Sequence, residues 1–227
     1  MKKALLLTAA TLLLALGLQF LMPPGAERAA GNAVPPPWRI EKLADGHTRV
    51  LGLVPGVSTL GEARQRFGAD LFIAVIAAPN ETGALEAYLD GMNAGSITGK
   101  LILTIDAAPE IVAAMKQRST KSEYMESSTR KYRLAPADLE AALRLPIRAV
   151  GFIPSANLDA ATVEQRFGRP VERLRASAES EHLLYPDLGL DVAVNAKGKE
   201  LLQYVAPARF GLLRDKLTGP VPGAAAQ

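Results

Sequence analysis

Gln65-Arg66-Phe67-Gly68 recurs unchanged as Gln165-Arg166-Phe167-Gly168, and each block follows a second matched tetrad, Gly52-Leu53-Val54-Pro55 and Gly151-Phe152-Ile153-Pro154. Two blocks repeated in the same order, with one residue more between them in the second copy, mark an internal duplication. Each copy has the same local physics. An extended apolar stretch ends at Pro, after which Thr59 or Asp159 stands where a helix cap is wanted. Leu60, Ala63 and Phe67 then fall at i, i+3 and i+7, as do Ala160, Val163 and Phe167, so one face of a short helix is buried in each copy. Gly68 and Gly168 suit a left-handed C-terminal cap, and Pro170 bars continuation in the second copy.

After the helix, each copy reads as strands. In the second, residues 171–177, 181–185 and 190–194 qualify, and 195–199 turn into a last strand at 200–205. In the first, residues 71–78 are apolar on both faces, while Leu85, Ala87 and Leu89, then Leu101, Leu103 and Ile105, alternate with polar neighbours. A strand apolar on both sides has to be covered on both sides. The expected cover is the region 109–146, which the second copy lacks. It holds two helix candidates, 109–118 and 136–143, each opening with a Pro at the first helical position. The predicted fold class is α+β: two tandem repeats, 38–108 and 147–210, each a short helix packed on an antiparallel sheet, with a helical insertion at 109–146 and a tail at 211–227.

Ahead of the repeats, residues 4–22 carry no charge and include nine leucines. As a helix they rise about 28 Å, close to the ~30 Å hydrocarbon core of a bilayer. A cleaved signal peptide shows the same pattern of Lys2 and Lys3 before an apolar run, but its core is usually shorter, about 7 to 15 residues. The expectation is therefore an N-terminal transmembrane helix acting as a signal anchor over 1–22, then a Pro-rich linker at 23–37. With Lys2 and Lys3 before the span, the positive-inside bias predicts an inner-membrane, single-pass topology with the N-terminus cytoplasmic and the bulk periplasmic.

Gly56-Val57-Ser58-Thr59-Leu60-Gly61-Glu62-Ala63 closed by Phe67-Gly68, its counterpart Val163 to Pro170, and the downstream Leu184-Tyr185 and Asn195-Ala196-Lys197-Gly198-Lys199 carry a family resemblance. They resemble the pattern of the small BamE/SmpA-like envelope proteins, shared loosely with the tandem repeats of β-lactamase inhibitory proteins. The resemblance implies a helix layer on an antiparallel sheet, a periplasmic setting, and work by protein binding. The chain departs from lipidated members in having no Cys, and its first repeat lacks Pro after Phe67-Gly68.

The absence of Cys also excludes disulfides and thiolate metal sites. The formal net charge is +3, to which Lys2 and Lys3 contribute two, so nothing here marks a nucleic-acid binder. His47 and His182 have no neighbouring ligand at metal spacing and read as surface or strand-face residues. Gly95 to Lys100 mimics a phosphate loop, but it is one residue short and lacks the following Ser or Thr. Gly91, Gly95 and Gly99 suggest a flexible turn instead. No nucleophile elbow occurs, so no catalytic, metal or cofactor site is assigned and the chain reads as a non-enzyme.

Candidate binding residues come from two places. The segment 116–133 holds six basic side chains, among them Lys121, Arg130 and Lys131, against Glu123 and Glu126. It reads as a solvated loop, with contact to anionic lipid or an acidic partner as the alternative. Tyr88 and Tyr185, on strands of the two copies, read as packing or as partner-facing aromatics. The predicted function is a membrane-anchored periplasmic binding or scaffold protein of the cell envelope, with an unidentified envelope protein as partner and residues 4–22 in the membrane. The alternatives are a carrier of a lipid or small apolar ligand between the first sheet and the inserted helices, and a carboxylate-dependent hydrolase.

Overall fold

The computed structural model describes residues 33–125 and 129–218. A two-stranded ribbon, β1 (Glu41–Lys42) and β2 (Thr48–Arg49), precedes the first copy. That copy comprises α1 (Leu60–Phe67), β3 (Phe72–Ala77), β4 (Ala84–Ala94) and β5 (Ile97–Ile105). The insertion follows as α2 (Pro109–Gln117), β6 (Lys121–Tyr124), β7 (Arg130–Arg133) and α3 (Pro136–Ala142). The second copy is β8 (Ile147–Pro154), α4 (Ala160–Phe167), β9 (Glu172–Arg175), β10 (Ser180–Tyr185), β11 (Leu190–Asn195) and β12 (Leu201–Val205), and α5 (Gly211–Thr218) closes the described chain.

The two repeat helices start as their caps dictate. At α1, the Thr59 hydroxyl accepts from the Glu62 N–H while the Glu62 carboxylate accepts from the Thr59 N–H, a reciprocal capping box. At α4, Asp159 accepts from the Thr162 N–H at 2.8 Å, and the Thr162 hydroxyl together with this N–H holds its carboxyl below the usual range. Gly68 and Gly168 end the helices with φ of 91° and 82°, but their ψ of −177° and −172° is extended rather than left-handed helical. The chain leaves each helix straight towards its strand.

Strands β3 to β12 form one sheet in the order β6-β7-β3-β4-β5-β8-β12-β11-β10-β9, antiparallel throughout. The two copies thus lie side by side, joined at the β5–β8 pairing. Helices α1 to α4 all bury against one face: Leu60, Val112, Met115 and Val163 share a core with Val75, Leu103, Phe152 and Tyr204. The Tyr204 hydroxyl, fully buried, donates to the Pro37 carbonyl at 2.8 Å and ties the incoming chain to this core. On the opposite face, among the described residues, only α5 packs, its Leu213 with Phe210 covering Ala149, Leu184 and Val205. The edge strands β6 and β9 carry Lys121 and Glu123, and Glu172, Arg173 and Arg175, charges that discourage edge-to-edge pairing.

Several expectations are corrected. The inserted helices exist, but they cover the same face of β3 as α1, so no helix among the described residues covers the second apolar side of that strand. The space between β3 and those helices is filled by Val75, Leu85, Val112 and Met115, each at most 3% exposed. The basic segment is not a solvated loop. Its residues 121–124 and 130–133 form a hairpin that satisfies the free backbone groups of β3 and turns Tyr132 towards the core. The first Gly-Leu-Val-Pro is not extended like its copy in β8. Val50 and Leu53 bond each other's backbones around Leu51 and Gly52, both at positive φ, and Arg66 Nε donates to the Leu51 carbonyl at 3.0 Å. Of the three glycines expected in a flexible turn, only Gly95 lies in one; Gly91 and Gly99 belong to β4 and β5.

The transmembrane helix is corrected as well. No helix among the described residues is long and apolar enough to cross a membrane. The longest, α2, has nine residues, a rise of about 14 Å against a ~30 Å hydrocarbon core. The run 4–22 lies outside the described residues. The signal anchor, the membrane as partner through 4–22, the single-pass inner-membrane location and the membrane-anchored scaffold function are therefore withdrawn.

Candidate binding face

Strand alternation decides what the uncovered face presents. Ile73 and Val75 of β3 turn to the helix core, so Phe72, Ala74 and Ile76 point the other way. The cross-strand register then sets Phe72, Tyr88, Ile102, Gly151, Gln203 and Asp191 in one row across six strands. Phe72 and Tyr88 are tilted neighbours with ring centroids 5.0 Å apart. Ile102, Ile153 and Leu201 are half-buried apolar residues around Gly151, where the absent side chain leaves the row low.

A cationic rim borders the aromatic end. Lys131 Nζ lies 5.4 Å from the centre of the Phe72 ring and the Arg133 guanidinium 6.0 Å from it. Lys121 and Lys131 both hold Glu123, at 2.6 and 2.8 Å, and their hydrogen bonds pull its carboxyl down to about 2. Burial raises the Tyr88 hydroxyl above its ordinary value, partly offset by Lys131, so it stays a neutral donor and acceptor. Nearer the centre, Lys100 and Asp90 pair at 2.9 Å. Glu86 is pushed up by burial, with Arg148 pulling the other way.

At the far end, His182 Nδ1 lies 3.0 and 2.9 Å from the two carboxylate oxygens of Asp191. The pair is recessed, with side chains 14% and 5% exposed. Asp191 fixes the ring and leaves Nε2 as its other polar atom. Sequence spacing hides this pair because the two residues sit on neighbouring strands. Their register, His182 opposite Ala193 and Leu184 opposite Asp191, makes them diagonal neighbours.

Of the residues singled out from sequence, Tyr88, Lys121 and Lys131 come together on this face. Arg130 turns to the helix side, its guanidinium 4.0 Å above the Tyr124 ring. Tyr185 is packing: it is 4% exposed, lies 5.8 Å from the Phe167 ring, and donates to the Gly168 carbonyl at 3.0 Å. Phe72 was missed as a binding candidate, although the two-sided apolar pattern of 71–78 already held the signal.

No family model matches the chain, and neither a curated protein nor a solved structure matches it. Among the described residues, no three His, Asp or Glu side chains gather as a metal site would need.

Proposed function

We propose that this chain is a protein-binding module that works through the uncovered face of its ten-stranded sheet. The observation that carries this reading is the Phe72-Tyr88-Ile102 row, left open while α1 to α4 all pack on the other side. Aromatic anchors on rigid strands bind at low ordering cost, because little conformational freedom remains to be lost. The Lys131 and Arg133 rim favours a folded partner that presents an apolar tip flanked by carboxylates. The resemblance of the two repeats to BamE/SmpA-like and β-lactamase inhibitory proteins supports the same class of activity.

The test is site-specific photo-crosslinking. A photoreactive phenylalanine at Ile102 is expected to give one defined adduct that charge reversal by Lys131→Glu with Arg133→Glu abolishes. The same probe at Gln165, exposed on α4, is expected to give none. Equal adducts from both positions, or an Ile102 adduct indifferent to the charge reversal, would remove the face from the mechanism.

A further inference from the structure

The helix side of the same sheet edge holds a second feature, independent of the open face. Lys116 from α2 and Tyr124, Arg130 and Tyr132 from the β6–β7 hairpin converge there with the chain at 77–80 around a cleft of about 290 Å³. A second cleft of about 480 Å³ shares Asn80, Lys116 and Tyr132 with it. Asn80 takes a positive φ of 65°, which turns the β3–β4 connection so that the Glu81 carbonyl accepts from Lys116. Lys116 Nζ also stands 5.4 Å from the centre of the Tyr132 ring.

The charges here differ from those around them. Arg118 is held by Asp138, and Lys121 and Lys131 by Glu123. Lys116 contacts a carbonyl and an aromatic ring, and Glu81 lines the second cleft beside it. Arg130 likewise stacks on an aromatic ring, its guanidinium 4.0 Å from the centre of Tyr124. Each of the two phenols that line the cleft carries an O–H donor. The cleft thus gathers two positive charges and two phenolic donors, with the Asn80 amide at its rim.

That set exceeds what a carboxylate uses, which carries one charge on two oxygens. It matches a dianion with three terminal oxygens. The first cleft, about 290 Å³, is at the lower end of ordinary small-molecule sites, roughly 300 to 1,000 Å³. We propose that this cleft binds the phosphate monoester of a small molecule, with Lys116 and Arg130 neutralising the charge and the two tyrosines orienting its oxygens.

Isothermal titration calorimetry on the full chain tests this with glucose 6-phosphate, inorganic phosphate, glucose and citrate, beside vesicles containing phosphatidate. Glucose 6-phosphate and inorganic phosphate are expected to bind and glucose not to. Lys116→Gln and Arg130→Gln are each expected to weaken binding at least tenfold, while Arg49→Gln, distant and exposed, leaves it unchanged. Circular dichroism confirms that each variant is folded. Affinity unchanged in both variants, citrate binding as tightly as glucose 6-phosphate, or binding confined to the vesicles would overturn the proposal.

Discussion

Phe72 and Tyr88 face each other across β3 and β4 with ring centroids 5.0 Å apart, on the side of the sheet that α1 to α4 leave bare. Tilted aromatic pairs of this kind couple by about 0.5 to 1.5 kcal/mol. A double-mutant cycle of Phe72→Ala and Tyr88→Ala, followed by urea unfolding, is expected to return a coupling in that range with the fold retained. A coupling of zero would mean that the rings do not pack in solution.

Gly99 is buried in β5, where an added Cβ would lie 2.4 Å from Phe152 Cζ and 2.5 Å from the Ile153 carbonyl oxygen. A carbonyl locked in the β5–β8 ladder has no room to retreat. Gly99→Ala is expected to cost about 1 to 3 kcal/mol in chemical denaturation. Gly91, at φ 68° with open space beside it, is expected to lose only about 1 kcal/mol as alanine, from its backbone alone. Equal costs at the two sites would contradict the close approach at the seam.

Glu123 and Glu86 titrate in opposite senses. The bonds from Lys121 and Lys131 depress the Glu123 carboxyl from 4.5 to about 2, so its contribution is complete above 4.5 and disappears as pH falls towards 2. Glu86 is raised by burial, so the folded chain holds that proton more tightly and its contribution falls as pH rises through its folded value. NMR titration of the carboxyl carbons should place Glu123 well below Glu86. Glu86→Gln is expected to raise the melting temperature at neutral pH, and an unchanged or lower value would argue against the burial.

Asp138 on α3 is buried and held by two bonds from Arg118, at 3.1 and 2.6 Å, although the arginine itself is 57% exposed. Arg118→Ala strands a buried carboxylate and is expected to cost about 1 to 3 kcal/mol, less than for a fully buried pair. The double variant Arg118→Ala with Asp138→Ala should be more stable than Arg118→Ala alone. If it is less stable, the carboxylate is not what the arginine satisfies.

Both repeat helices, with their caps at Thr59 and Asp159, were legible in the chain because caps and periodicity are local properties. So were the strands of both copies and the helices opened by Pro109 and Pro136. The hairpin in the basic segment was not, since four residues such as Arg130 to Arg133 become strand only beside the free edge of β3. Arg66 and Arg166 show the same limit within one repeated tetrad. The first braces the Leu51 turn, while the second lies 4.6 Å from the Trp38 ring.

Sequence alone held the recurring Gln-Arg-Phe-Gly tetrad, the helix-then-strands order around each occurrence, and the apolar character of both sides of 71–78. Tertiary structure decided that the copies share one sheet through β5 and β8, and that every repeat and insertion helix lies on one face of it. It also decided that Tyr88 and Lys131 meet Phe72, while Arg130 and Lys116 meet on the opposite side. The physical reason is range. Caps, turns and alternation act over a few residues and are written in order along the chain, whereas register between strands is set by side chains that the sequence holds far apart.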